Sequence, residues 1–307
     1  MNEISKIDKI LLDNLCSIMD KARQQVAVSV SNTMTMMYWH IGDTIHTYVL
    51  EGQRAAYGQQ IVSTLSTKLT ELYGKDFTDR NLRRMIQFSQ AFPKVEIVST
   101  LSTKLYWSHF MEVLPLKDNL AREFYVTMAA SEHWSVKRLR KEIDSMLFER
   151  TIISRKPEDF IRAELATLRD DNRLSPDLVF KNPYFLDFTG LTGFYQERDL
   201  EDMLLNGIQQ FLMELGSGFT FVERQKRMII DGEDFRLDLL FYHRKLRRLI
   251  AIDLKRTRFK PAYKGQMELY LRYLDKHERN EGEESPLGLL LCAEGSNEQI
   301  ELLQLED

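Results

Sequence analysis

Cysteine is almost missing from this sequence. The two thiols, Cys16 and Cys292, lie far apart and outside any motif. That excludes a disulfide-stapled secreted domain and a thiolate zinc site, and reduced thiols are expected. Of the six histidines, His40 and His46 sit near each other in sequence, yet neither has a partner at metal-ligand spacing. The 14 glycines form no phosphate-cradling loop, which counts against an α/β enzyme acting on small phosphates. No apolar run approaches the roughly 20 residues needed to span a bilayer. The early acids in MNEISKIDKILLDNL do not fit a cleavable signal. A cytoplasmic protein without membrane association is expected. Positive charge is not in excess either: the formal net charge is −4, so the whole molecule does not announce a polyanion binder.

What is present is ordinary for a folded chain: 43% hydrophobic and 29% charged residues over 307 positions. That length favours two domains over one. The charge is unevenly placed. Between Arg224 and Lys264 there are thirteen Lys and Arg against five acids. A local basic excess beside carboxylates suits a phosphate backbone, although a solvated basic hairpin face gives the same pattern.

That basic stretch is also the most structured part of the sequence. Asp231-Gly232 separates FTFVERQKRMII from EDFRLDLLFYHR, a strong hairpin signal. A third run, LIAIDLK, ends in Asp253-Leu254-Lys255. Strand alternation puts Asp253 and Lys255 on one face and Ile250, Ile252 and Leu254 on the other. On the preceding strand it groups Phe235, Leu237, Leu239 and Phe241 against Arg236, Asp238 and Leu240. If the two strands are neighbours, Asp238 and Asp253 converge with Lys255 one step beyond. An acid inside an apolar strand is costly unless it is paired or binds a metal. Two carboxylates and an ammonium suit a hard divalent cation, Mg²⁺ or Mn²⁺. The competing arrangement is a buried Asp238–Lys255 ion pair with Asp253 capping a strand end.

These residues resemble the PD-(D/E)XK nuclease superfamily. Asp238 matches its first acid, Asp253-Leu254-Lys255 its (D/E)-x-K element, and Gln266 to Tyr270 the Q-x-x-x-Y helix of its RecB-like branch. FRLDLLFYHRKLRRLIAIDLK and FKPAYKGQMELYL are similar to the C-terminal domain of the bacterial YhcG-type nucleases. YGKDFTDRNLRRMIQF and LYWSHFMEVL extend the likeness through the N-terminal half. The resemblance implies a restriction-endonuclease-like αβββαβ domain behind a helical, winged-helix-like one. It implies Mg²⁺-dependent cleavage of DNA, with Asp238, Asp253, Lys255, Gln266 and Tyr270 as catalytic residues. Asp238, Asp253 and Glu201 would hold the metal, with Glu197 a rival to Glu201. Gln266 and Tyr270 lie on one helix face and would contact the metal-bound water or the DNA backbone, or would simply be packed. RNA or branched DNA is an alternative substrate. A homodimer and a restriction or defence partner are further expectations. A nuclease fold serving only as a nucleic-acid-binding or assembly subunit is the competing function. The chain departs from the family in two ways: the family usually has Glu where Asp253 stands, and usually runs on past Leu-Gln-Leu-Glu-Asp.

The N-terminal half reads as helices. One spans residues 1 to about 50. Gln59 to Tyr73 follows, stopped by Gly74. DRNLRRMIQFSQAF comes next, opened by Thr78 or Asp79 and halted by Pro93. The last two form a helix–turn–helix pattern. Arg80, Asn81, Arg83 and Arg84 fall in the early turns of its second helix, the residue types that read bases and phosphates; any basic helical hairpin gives the same pattern. Arg256, Arg258 and Lys260 are expected to touch DNA from the nuclease side. Ser108 and Ser135 are expected to cap later helices. Lys137, Arg138, Arg140 and Lys141 fit a solvated face better than a DNA-binding one. The nonapeptide IVSTLSTKL occurs at Ile61 and again at Ile97, too little for a solenoid. Residues 151 to 180, rich in turn residues, lose periodicity. The expected division is therefore a DNA- or partner-binding domain at 1–160, a linker at 161–180 and a nuclease domain at 181–307.

Overall fold

The computed structural model describes residues 2–51, 58–181, 208–255, 259–292 and 299–304. The chain divides into two compact units, Met1–Asp144 and Ser145–Asp307.

The first unit is built from α1 (Asn2–Glu51), α2 (Gly58–Tyr73), α3 (Asp79–Ala91), α4 (Val95–Ser102), α5 (Trp107–Val113), α6 (Asn119–Ser131) and α7 (Val136–Asp144). None of its described residues forms a strand that could serve as a wing. Gly42 lets α1 cross α3 closely: a Cβ there would stand 1.9 Å from the Met85 carbonyl oxygen. Tyr38, Ile45, Val62, Leu82 and Met85 form the core of that crossing. The Trp39 indole donates to the Phe92 carbonyl at 2.8 Å. Gly74, at φ 95°, ends α2 in a left-handed turn, and a 3-10 turn at Lys75–Phe77 leads into α3. The Ser135 hydroxyl accepts from the Arg138 N–H at 3.2 Å, so Ser135 does cap α7. Ser108 does not cap α5, which starts one residue earlier, at Trp107.

The identical nonapeptides take different structures. The copy from Ile61 is helical throughout, whereas in the copy from Ile97 the helix stops at Ser102. There the Ser102 hydroxyl donates to the Asn32 side chain at 2.5 Å, and Leu101 and Leu105 are buried. Tertiary contacts outweigh local propensity.

The second unit starts earlier than the expected domain boundary. Residues 145–181 belong to it, and the segment expected as a linker is ordered. It carries α8 (Leu147–Arg150), α9 (Glu158–Asp171) and α10 (Pro176–Val179). Ile161, Leu165 and Leu168 bury one face of α9. The two prolines mark helix starts: Pro157 is the N-cap of α9, and Pro176 the first residue of α10.

After α11 (Ile208–Leu215) come β1 (Phe219–Ile230), β2 (Glu233–His243) and β3 (Arg248–Lys255). Then follow α12 (Pro261–His277), β4 (Leu287–Cys292) and β5 (Gln299–Gln304). The strands form one mixed sheet in order β1-β2-β3-β4-β5, with β3 and β4 parallel and the other pairs antiparallel. The hairpin turns at Asp231 and Gly232, both with positive φ, as a tight two-residue turn requires. The crossover from β3 to β4 runs through α12. Two cores sandwich the sheet. One holds Phe180, Phe211 and Leu215 against Leu239, Phe241, Ile250, Ile252 and Leu254. The other holds Met267, Tyr270, Leu271 and Leu274 against Leu237, Leu240 and Ala251.

Alternation along β2 is interrupted. Leu239 and Phe241 face the first core as expected, but Leu237 and Phe235 pack in the second. The switch falls at Asp238. The ladder runs Arg224–Leu239 and Lys226–Leu237 and skips Gln225 and Asp238 between them. Gln225 has a φ of 50°, a left-handed conformation that side chains other than Gly, Asn and Asp seldom adopt.

Candidate active site

The site lies where β2 and β3 separate. The register pairs Leu239 with Ile252, and one further step sets Asp238 opposite Asp253. Leu240 and Ala251 pack in the α12-side core, so parity along each strand gives Asp238 and Asp253 that same side. Asp238 does not stay on the face. Its Oδ2 turns into the gap between the strands and accepts from the Leu254 N–H at 2.7 Å. Its Oδ1 accepts from the Gln225 amide at 3.1 Å. Both carboxylate oxygens are thereby oriented by the protein.

Asp253 is 2% exposed. Its Oδ2 meets the Lys255 ammonium at 2.7 Å but makes no well-directed hydrogen bond. The Lys255 ammonium also lies 5.2 Å from the Tyr263 ring centre, a cation–π contact from the first turn of α12. The trio expected from sequence is therefore together, with the Lys255 ammonium paired to Asp253 and its charge also acting on Asp238. Burial pushes the Asp238 carboxyl up to about 7. The charge of Asp253 and a hydrogen bond shared with it push the same way, against the Leu254 N–H and the Lys255 charge. A partly buried Asp238 carboxyl facing the Asp253 side chain forms a receptive place for a cation.

Gln266 and Tyr270 act as a clamp. The Gln266 amide donates to the Tyr270 hydroxyl at 2.6 Å, and that hydroxyl donates to the Arg236 carbonyl at 3.2 Å. The clamp ties α12 to β2 two residues before Asp238. Tyr270 is 1% exposed. Burial first, then the charges of Asp253 and Asp238, push its hydroxyl up to about 12, so it is a neutral donor at any ordinary pH.

Glu201, Glu197, Arg256 and Arg258 lie outside the described residues. Among the described residues no group of three acids, histidines or cysteines is arranged to hold a metal. On β1, the exposed Glu223 carboxylate accepts from the Lys226 ammonium at 3.0 Å. Lys260 is exposed, with its ammonium 5.8 Å from the Tyr263 ring. In the first unit Arg80 is exposed and Arg84 half-buried. Arg83 is held by Asp79 at 2.6 Å, and the Asn81 amide donates to the Asp76 carbonyl. Two of these four side chains therefore already have local partners. On α7, Arg140 forms a two-pronged pair with Glu112. Gln225 was not legible as a site residue from sequence, because it is an ordinary strand glutamine until the register sets it beside Asp238.

Residues 14–150 match the family described as the DUF1016 N-terminal domain, and residues 177–306 match the YhcG PDDEXK nuclease domain. The chain is 34% identical over 312 residues to "Putative nuclease YhcG" of Escherichia coli (strain K12), an alignment covering 92% of this chain and 82% of that protein. No solved structure gives a significant match. Among the described residues no helix is long and apolar enough to cross a membrane. The chain belongs to the YhcG family and carries its PD-(D/E)XK nuclease domain behind a helical DUF1016 domain.

Proposed function

We propose that this protein is a divalent-metal-dependent DNA nuclease whose active centre is formed by Asp238, Asp253 and Lys255. The observation that carries the reading is the convergence of two carboxyls at a strand edge, one of them 2% exposed with a buried oxygen lacking a directed hydrogen bond. That donor set is all oxygen and suits Mg²⁺ or Mn²⁺. Asp238 and Asp253 would hold the ion, with Glu201 as a third ligand. When bound, the ion supplies a polarised phosphate oxygen and a more acidic water. The chain's own residues do the rest. The Leu254 N–H aims Asp238. Lys255 positions the attacking water or stabilises charge on the phosphate. Gln266 and Tyr270 hold β2 in register with α12.

DNA is the proposed substrate, held by Arg256, Arg258 and Lys260 of the nuclease domain and by Arg80, Asn81, Arg83 and Arg84 of the helical unit. RNA and branched DNA belong in the same test. Cleavage of both strands would call for a homodimer, and a restriction or defence partner is part of the same proposal. Purified protein is expected to cut DNA with Mg²⁺ or Mn²⁺ and not in EDTA. Metal-independent binding without any cleavage would favour the second reading, an inactive nucleic-acid-binding or assembly subunit. Asp253 in place of the family's usual Glu speaks for that reading.

A further inference from the structure

We propose that Gln225 is a positioning residue of the nuclease site, fixing Asp238 for metal binding through its side-chain amide at the expense of its own backbone. The inference rests on the nuclease reading. Three observations carry it. Gln225 sits opposite Asp238 at the one place between Arg224 and Ile230 where the β1–β2 ladder skips a pair. Its φ is 50°, and an L-residue held there is strained unless its surroundings demand it. Its amide donates to Asp238 Oδ1 at 3.1 Å, while the Leu254 N–H takes Oδ2 at 2.7 Å.

The register shift between Phe221 and Glu223 lies before the paired stretch that holds Gln225. The turn is already provided by Asp231 and Gly232, and the register on either side of Gln225 is the same. The left-handed step coincides with the switch that sends Leu237 and Leu239 into opposite cores. That switch swings Asp238 off the sheet face and toward Asp253. With one donor on each oxygen, the Asp238 carboxylate is held in a single orientation before any ion arrives. Such preorganisation removes the ordering cost from binding. A neutral amide orients the carboxylate without competing with the ion for charge, as a lysine or arginine would.

The test compares wild type with Gln225→Ala and Gln225→Gly in the full chain. Mn²⁺ binding to the DNA-free protein is measured by titration calorimetry, with thermal unfolding in EDTA and Mn²⁺-dependent cleavage alongside. Glycine removes the amide and accepts the positive φ. Gln225→Gly is therefore expected to unfold at or above the wild-type temperature, yet to bind Mn²⁺ about tenfold more weakly. That fold-change follows from losing one charge-assisted hydrogen bond. Gln225→Ala is expected to show the same loss of Mn²⁺ affinity. Cleavage by both should recover toward the wild-type rate when Mn²⁺ is raised in proportion. Mn²⁺ affinities equal to wild type in both variants would overturn the role of Gln225 and leave the nuclease reading standing. A wild type that neither binds Mn²⁺ nor cleaves would overturn both.

Discussion

Replacing Asp238 by Asn tests the electrostatics of the site before any substrate is added. The asparagine keeps the shape and an acceptor oxygen for the Leu254 N–H, but removes one of two facing charges. In the native state burial first, and then the charge of Asp253, pushes the Asp238 carboxyl from its ordinary 3.8 up to about 7. The folded protein therefore holds a proton that the unfolded chain gives up between about pH 4 and 7. The stabilisation from that proton is complete below about pH 4 and is lost as pH rises through 7. A shift of this size corresponds to about 4 kcal/mol at most. Since Asp238 is only partly buried, roughly 2 kcal/mol is a better expectation after solvent screening. For a unit of this size that is about 4–8 °C in Tm. In EDTA, Asp238→Asn should match wild type near pH 4.5 and exceed its Tm by that amount at pH 8. Thermal unfolding across the pH range reads the difference. A variant destabilised equally at every pH would refute the claim that burial and the Asp253 charge disfavour an ionised Asp238.

Other positions give sharper packing tests. Gly42→Ala should cost about 3 kcal/mol in urea unfolding, because the new Cβ would meet the Met85 carbonyl at 1.9 Å and α1 would have to lift from α3. Glu214→Ala should cost a similar amount, about 3 kcal/mol, and be seen as a lower urea midpoint. It leaves Arg150 and Lys181, each under a tenth exposed, without the carboxylate that both engage. Tyr270→Phe should cost about 1–2 kcal/mol by stripping partners from the Gln266 amide and the Arg236 carbonyl. Its kcat for cleavage should fall less than tenfold, since the buried hydroxyl braces β2 and does not touch substrate.

The hairpin and the trio of Asp238, Asp253 and Lys255 were readable because each rests on local chemistry. Asp231-Gly232 has the residues that a positive-φ turn requires, and Asp253-x-Lys255 follows from strand parity. The same parity argument failed at Leu237, because a strand's faces are fixed only while its ladder is regular, and a kink at Asp238 has no sequence mark. Gln225 was invisible for the same reason. Residues 161–180 look like a linker because of the prolines at 157 and 176 and the turn residues between them, although Ile161, Leu165 and Leu168 carry a helical spacing. Prolines that start helices and prolines that break them look alike without the stripe. The two copies of IVSTLSTKL show the limit most directly: nine identical residues end differently because Asn32 meets Ser102 in only one of them. The Lys255 partner was also beyond the sequence, since a lysine arm reaches either acid and only the β2–β3 geometry decides.

DNA cleavage by wild type, Asp253→Ala and Lys255→Ala, each in Mg²⁺, Mn²⁺ and EDTA, with unfolding curves for all three proteins, decides whether these residues form a nuclease centre. Wild type should cut only with metal. Lys255→Ala should stay folded and bind DNA, but cut at least 100-fold more slowly, and Asp253→Ala should lose metal-dependent cutting. Undiminished cleavage by folded Lys255→Ala would contradict the account.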